Sequence, residues 1–194
     1  MSVESWYKVL ATAEVAGAAL TNTVTATSLL PTQARHTIAP DAWWIGKRYK
    51  INIEGKFSNV ITAQPTLTFD VRFGSTVVFT TGAILTSTTA HTDSSFTLTI
   101  PLTCRAVGSA ANLIGQATLI GQPFLRTGAG AVADFSVANP GSGLPTILKP
   151  ETAAVVGNNY DTNASQQVDI FGTWSAANAA NSITILQYEL LSGE

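Results

Sequence analysis

Residues 94–105 read SSFTLTIPLTCR and decide the fold class. Apolar side chains occupy every second position from Phe96 to Cys104, and threonines or a proline fill the positions between them. A period of two places alternate side chains on opposite faces of a β-strand, whereas a helix would scatter them around its circumference. The stretch is also longer than a usual strand. It therefore predicts the central strand of a β-sandwich, with Cys104 on the core face.

Similar β-prone runs between turn residues recur along the chain. Gly74-Ser75 separates two of them and predicts a tight hairpin of the type II′ kind. Gly115 and Gly121 lie inside another run and indicate bulges or close backbone approaches. The predicted strands are residues 21–30, 47–58, 65–73, 75–81, 94–105, 112–124, 166–175 and 182–191. Short strands, unequal connections and no strong helix predict an all-β fold, an eight-stranded antiparallel jelly-roll sandwich.

The length of 194 residues suits a single β-sandwich domain, residues 1–194. Residues 1–20 are predicted as an N-terminal arm, although the apolar run within them would also suit an edge strand. Residues 126–164 contain three prolines and many glycines. A stretch of this length is unusual as a plain loop in a compact domain. We therefore predict an ordered loop insertion there.

Charged residues make up only 11% of the chain, against about a quarter in ordinary domains. This low charge has two explanations: the composition of β-proteins, or burial of much surface in an assembly. The net charge of −2 gives no reason to expect nucleic-acid binding. The N-terminus lacks the basic region of a secretory signal, and no apolar run approaches the ~20 residues that span a bilayer. We therefore expect a protein that folds in a cytosol and does not bind membranes.

The residue types that could catalyse a reaction or bind a metal ion are not grouped in the sequence. His36 and His91 have no second ligand at metal-binding spacing and are predicted to be surface loop residues. Asp169 and Glu189 would lie on the last two strands, where outward-facing acids are usually solvated rather than catalytic. No nucleophile elbow or phosphate loop is present. We predict no enzymatic activity, no cofactor and no metal site.

Three further features each have a structural interpretation and a functional one. Cys104 has no second cysteine to pair with, and on a core face it should be buried and unreactive. Asp161 and Asn163 could offer oxygen ligands to calcium, but a complete loop motif is missing. A basic cluster beside two tryptophans would suit nucleic acid, but a solvated strand face is favoured. That cluster consists of Lys47, Arg48, Lys50 and Lys56.

Three segments carry a family resemblance. They are PTLTFDVRFGSTVV at 65–78, SSFTLTIPLTCRAVG at 94–108 and QQVDIFGTWSAANAANSITILQYEL at 166–190. Together they resemble jelly-roll virion structural proteins of tailed bacteriophages, loosely over residues 43–191. The resemblance implies a virion protein made in the host cytoplasm, commonly a capsid decoration (cement) protein or part of a head or tail fibre. It also implies a homotrimer, and it carries over no functional residue.

The leading hypothesis is a decoration protein that binds across subunits of the major capsid protein and stabilises the head. Its candidate capsid or subunit contacts are the apolar residues that the strands do not need: Trp6, Val9, Leu10, Leu144, Ile147 and Leu148. The alternative is a glycan- or receptor-binding module of a phage fibre, with aromatic rings that stack on sugars. Its candidate contacts are Trp43, Trp44 and Tyr160. A glycan-cleaving enzyme is disfavoured because no pair of acids is evident.

Overall fold

The computed structural model describes residues 6–60, 65–87, 90–121, 124–125 and 146–193. These residues form sixteen strands and two 3₁₀ turns, at Thr32–Ala34 and Pro40–Ala42, and no α-helix. In chain order the strands are β1 (Tyr7–Thr12), β2 (Leu20–Thr21), β3 (Thr27–Ser28), β4 (Thr37–Ile38), β5 (Arg48–Asn59), β6 (Thr66–Phe73), β7 (Thr76–Thr80), β8 (Ile84–Thr86), β9 (His91–Ala106), β10 (Asn112–Gly115), β11 (Ala117–Ile120), β12 (Phe124–Leu125), β13 (Thr146–Lys149), β14 (Val155–Val156), β15 (Gln166–Trp174) and β16 (Ser182–Gly193).

The strands form two antiparallel sheets packed as a sandwich. In the first sheet the order is β1-β16-β5-β9-β10-β14, with β11 between β9 and β13, and with β2 beside β16. In the second sheet the order is β12-β8-β6-β15-β3, with β7 beside β6 and β4 beside β15. The fold is therefore all-β, as the alternation predicts.

The stretch that decides the fold class lies at the centre of the first sheet. Its apolar positions from Phe96 to Cys104 are all buried, and the threonines between them are partly exposed. β5 pairs with β9 along nearly its whole length, with Asn52 opposite Thr99. The second sheet is built on β6 and β15, in which Ile170 lies opposite Val71. The prediction of a central strand is confirmed.

The hairpin and glycine predictions are also confirmed. Phe73 pairs with Thr76, so Gly74 and Ser75 are the two loop residues. Gly74 has a φ of 58°, the left-handed value that the first position of a type II′ turn requires. A side chain at Gly115 would bring its Cβ atom to 2.6 Å from Leu102 Cδ2. These glycines are needed for the turn and for close packing, respectively.

Aromatic rings from both sheets fill the core in two clusters. In the first, Phe57 and Phe96 of the first sheet contact Phe124 of the second, with ring centroids 4.8 and 5.7 Å apart. The second cluster surrounds Trp43, whose ring centroid lies 5.0–5.4 Å from those of three other rings. Those three are Tyr49, Phe73 and Tyr160. Such clusters contribute apolar burial and ring contacts that join the sheets.

Two of the eight predicted strands are divided in the structure. Residues 21–30 contribute only β2 and β3, because Asn22 has a φ of 51° and the Thr23 hydroxyl accepts a hydrogen bond from the Thr25 amide, which interrupts the strand. Residues 112–124 contribute β10, β11 and part of β12. β10 and β11 both pair with β9, whereas β12 pairs with β8 in the other sheet. Local alternation does not show such a change of sheet.

The predicted arm and insertion both contribute strands to the first sheet. Residues 7–12 pair with β16 as an edge strand, so the edge-strand alternative holds there and a free arm does not. β13 and β14 pair with β11 and β10, so residues 146–149 and 155–156 are sheet rather than loop. β13 was not predicted because Leu148 faces outward while Lys149 is buried, the reverse of the usual pattern, and the two residues of β14 are both exposed. The rest of the predicted insertion up to residue 145 lies outside the described residues.

Candidate functional site

A concave surface lies on the outer face of the first sheet, where two rows of polar side chains cross neighbouring strands. In one row Glu189 lies opposite both Thr12 and Asn52, and Asn52 lies opposite Thr99. In the adjacent row Glu54 lies between Gln187 and Thr97. Directly opposite residues on antiparallel strands project to the same face. The two rows therefore form one continuous polar surface.

This surface, here called the polar groove, encloses about 520 Å³. Its described lining is Thr12, Ala13, Asn52, Glu54, Thr97, Thr99, Gln187, Tyr188 and Glu189. Hydrogen bonds already order part of it: Asn52 Nδ2 donates to Glu189 Oε2 at 2.9 Å, and the Thr99 hydroxyl donates to Asn52 Oδ1 at 3.4 Å. None of the described lining residues is basic.

The wall of the groove follows from an irregularity in β16. The pairing of β16 with β5 shifts between Ile185 and Gln187, which marks a β-bulge. The chain after β1 crosses this bulge, and the Ala13 and Gly17 amides donate to the carbonyl oxygens of Tyr188 and Ile185. A bulge bends a strand and increases its twist. The sheet is therefore curved here, and the segment after β1 borders the curve.

A second surface, here called the aromatic end, lies where β1 and β5 begin and β9 ends. Tyr7 and Arg48 lie on either side of Gly193 in adjacent strands. The turn before β5 is fixed to the end of β9, because the Gly46 amide donates to the Cys104 carbonyl at 2.8 Å. Five exposed apolar side chains define this end: Trp6, Tyr7, Trp44, Ile45 and Val107. Apolar surface gathered in this way is typical of an interaction site.

Trp44 is further ordered by Lys47, whose Nζ lies 3.8 Å from the centroid of its ring. Lys47 itself is buried. A cation over the face of an indole ring stabilises the ring in one orientation. Trp44 is thus an exposed ring held in place rather than a freely rotating side chain.

Of the three predicted glycan contacts, only Trp44 is accessible. Trp43 is 8% exposed and Tyr160 is 3% exposed, and the two rings contact each other in the core. The prediction was wrong for both, because a ring that packs on other rings between the sheets cannot stack on a sugar. Tyr160 also forms an isolated bridge with Ala111, which brings its segment back to the first sheet.

The six predicted capsid contacts likewise include both exposed and buried residues. Trp6, Val9 and Leu148 are exposed, with half or more of each residue accessible. Leu10 is partly buried against the core. Ile147 is buried, so the prediction that it contacts a partner was wrong. The sixth residue, Leu144, lies outside the described residues.

The two acids considered as a catalytic pair, Asp169 and Glu189, lie in different sheets. Asp169 is in the second sheet, where its carboxylate accepts a hydrogen bond from Ser28 Oγ at 2.7 Å and forms an ion pair with Arg35 at 3.2 Å. It is buried rather than solvated. Burial raises its pKa, and its hydrogen bonds and Arg35 oppose the rise. Glu189 is in the first sheet and belongs to the polar groove. The two carboxyl groups therefore form no catalytic pair.

The structure also gives the positions of Cys104, the two histidines and Asp161. Cys104 is buried as predicted, and burial raises the pKa of its thiol. His36 lies in a loop, and burial and then nearby Lys8 lower the pKa of its imidazole. His91 was predicted to be a loop residue but is the first residue of β9. Asp161 accepts a hydrogen bond from the Asn163 amide in a local turn. Among the described residues, no group of three or more histidine, cysteine or carboxylate side chains could hold a metal ion.

The polar groove was not predicted, although the sequence contains one signal of it. Asn52, Glu54, Thr97 and Thr99 occupy the outward positions of two strongly alternating strands. Their types are suited to hydrogen bonding. What the sequence does not show is that these positions face each other in register and that β16 adds Gln187 and Glu189 beside them.

Comparison with models of protein families found no match, and a search of curated proteins found no significant similarity. Within the part of the chain that the structure describes, no helix has the length and apolar character needed to cross a membrane.

Proposed function

We propose that this protein is a jelly-roll virion structural protein of a tailed bacteriophage, a capsid decoration protein that binds the major capsid protein and stabilises the head. The observation that carries the proposal is the aromatic end. There, Trp6, Tyr7, Trp44 and Ile45 are exposed on a chain with few charged residues. The phage context comes from the sequence resemblance alone.

Burial of the aromatic end against capsid subunits would remove large apolar side chains from water. Aromatic residues are enriched at protein interfaces and charged residues are depleted at their centres. Each copy needs to contribute only a modest free energy, because many copies act on one shell. A decoration protein therefore fits both the exposed rings and the low charge.

The jelly-roll topology and the homotrimer belong to the same proposal. The chain passes repeatedly between the two sheets, for example from β11 to β12 and from β15 to β16. Such crossings favour a jelly roll over an up-and-down meander. Closed rotational symmetry is the common arrangement of identical chains that bury apolar surface, and the number three rests on the resemblance.

The test is to count copies in purified particles of the phage that encodes this chain and to compare heads with and without it. We expect hundreds of copies per particle, and heads without the protein should release DNA at a lower temperature. Adding back the purified chain should restore the difference. Tens of copies or fewer, located on a fibre, would contradict the decoration role.

A second candidate function is recognition of host glycan or receptor by a module of a phage fibre. The specific observation in its favour is the polar groove, which offers hydroxyl, amide and carboxylate groups on one concave face. Jelly rolls serve as lectins as well as capsid proteins. Fibre copy number and cell binding, rather than head stability, distinguish this candidate.

A further inference from the structure

We infer that the polar groove binds a neutral oligosaccharide, a ligand that presents many hydroxyl groups and no charge. This inference deepens the second candidate function and rests on it, and it is independent of the decoration role. It also moves the sugar site away from the aromatic residues that the sequence indicated, two of which are buried.

The size of the groove suits such a ligand. Its volume of about 520 Å³ lies within the range of roughly 300–1,000 Å³ typical of small-molecule sites. The longer row crosses four strands, from Thr12 to Thr99. At about 4.8 Å between neighbouring strands, this row is about 14 Å long. An extended ligand of a few sugar units can therefore lie across the strands.

The groups in the groove match hydroxyls in both directions. The carboxylates of Glu54 and Glu189 accept hydrogen bonds, threonine hydroxyls both donate and accept, and the Asn52 amide does both through separate atoms. The bonds from Thr99 to Asn52 and from Asn52 to Glu189 fix the orientation of that amide. A prearranged set of donors and acceptors loses less side-chain entropy on binding.

The same groups disfavour other ligands. Two carboxylates and no basic residue in the described lining disfavour uronates, sialates, sulfates and phosphates inside the groove. The nearest cations on β5, Lys50 and Lys56, lie beyond the lining on the same face, and Lys56 is paired with Asp93. An apolar ligand would leave these polar groups without partners, which is costly. A calcium site would need more oxygen ligands in a closed arrangement than two carboxylates on an open sheet face supply. A neutral, hydroxyl-rich ligand satisfies the groove best.

The experiment applies the full-length chain to immobilised neutral oligosaccharides of glucose, galactose, mannose and N-acetylglucosamine, beside sialylated and uronate-containing ones. Affinities for the neutral probes that bind are then measured by titration calorimetry, with and without a calcium chelator. The test variant is the double substitution Thr97→Val and Thr99→Val. It removes two groove hydroxyls and keeps the β-branched shape that suits a strand. The matched control is the double substitution Thr68→Val and Thr173→Val, at two partly exposed threonines that lie opposite each other in the second sheet, away from the groove.

We expect binding of at least one neutral oligosaccharide that the chelator does not change. The double variant should weaken it about tenfold or more, and the control should change it less than about twofold. The inference is overturned if no neutral probe binds, if only acidic probes bind, if binding requires calcium, or if the double variant binds as well as the parent. Head binding by the same variants is measured separately, so failure here and failure of the decoration role are distinguishable.

Discussion

Trp43 and Trp44 are adjacent in the sequence and have opposite positions in the structure. Trp43 is 8% exposed and contacts three aromatic rings between the two sheets. Trp44 is 45% exposed and lies under the Lys47 ammonium at the aromatic end. The same residue type thus belongs to the core at one position and to the exposed aromatic end at the next.

The difference leads us to propose that stability and recognition are separated in this protein. The buried cluster joins the sheets through apolar contacts with no group available to a partner. The exposed rings lie outside that cluster and are accessible at the surface. Mutations in the two regions should therefore affect different measurements. Three of the four predictions test this separation, and the other tests burial in the core alone.

The largest effect is expected from Trp43→Ala. Removal of a buried indole from a packed core should lower the free energy of unfolding by about 3–5 kcal/mol. Trp44→Ala, the matched variant at the next residue, should lower it by at most about 1 kcal/mol. Denaturant unfolding measures both. Equal losses in the two variants would show that the separation is wrong.

The second prediction concerns binding to heads. Trp44→Ala should weaken attachment of the purified chain to phage heads by on the order of 2 kcal/mol, about thirtyfold, as expected of an exposed aromatic anchor. Leu186→Ala also removes an exposed apolar side chain from the first sheet, outside the aromatic end, and serves as the control. Cosedimentation with heads measures both, and comparable losses would argue against the aromatic end as the interface.

The third prediction is a loss of stability at alkaline pH. Burial raises the pKa of the Cys104 thiol above its ordinary value of 9.0. The thiol ionises first in the unfolded chain, so its contribution is fully present below pH 9 and decreases as pH rises toward the folded pKa. The loss from this thiol can reach at most about 1.4 kcal/mol by pH 10, one unit above the unfolded value.

The Cys104→Ala variant provides the control for the pH experiment. It should show a smaller decrease than the parent between pH 9 and 10 and the same further decrease at higher pH, because burial also raises the pKa values of Tyr49, Tyr160 and Tyr188, which in the unfolded chain ionise around 10.0. Unfolding curves across pH 7–11 measure this. The native thiol should also react slowly with a thiol reagent, and rapid labelling would contradict its buried position.

The smallest effect is expected from Lys47→Met. It keeps the length of the side chain but removes the charge over Trp44, a contact worth about 0.5–1 kcal/mol. Head binding should weaken by about this amount, because the ring becomes less ordered. The double variant with Trp44→Ala should bind like Trp44→Ala alone. An additive loss in this cycle would show that Lys47 acts on the partner directly rather than through the ring.

Much of the fold could be predicted from local patterns. The alternation from Phe96 to Cys104, the hairpin at Gly74 and the close approach at Gly115 all follow from side-chain period and backbone geometry. β13 was missed because Leu148 faces outward and Lys149 inward, which inverts the usual pattern, and β14 consists of only two residues, both exposed. In the interior Lys149 Nζ is satisfied by the Ala83 carbonyl and the Glu151 carboxylate.

The candidate sites were less predictable than the fold. An exposed Trp6 and a buried Cys104 follow from their sequence contexts. The opposite positions of Trp43 and Trp44 do not, because the turn between Trp44 and Lys47 decides them and that turn is fixed by backbone bonds to the end of β9. Two adjacent rings of equal hydrophobicity carry no local signal of which will be buried.

The sequence by itself determined that this protein is an all-β sandwich with few charges and a buried thiol, because the two-residue period and the composition are local properties of the chain. Only the tertiary structure decided which polar side chains lie together on one accessible surface. The polar groove brings together Thr12, residues 52–54, residues 97–99 and residues 187–189. These segments meet through strand register, and register depends on pairing between residues far apart in the chain, which no local pattern specifies.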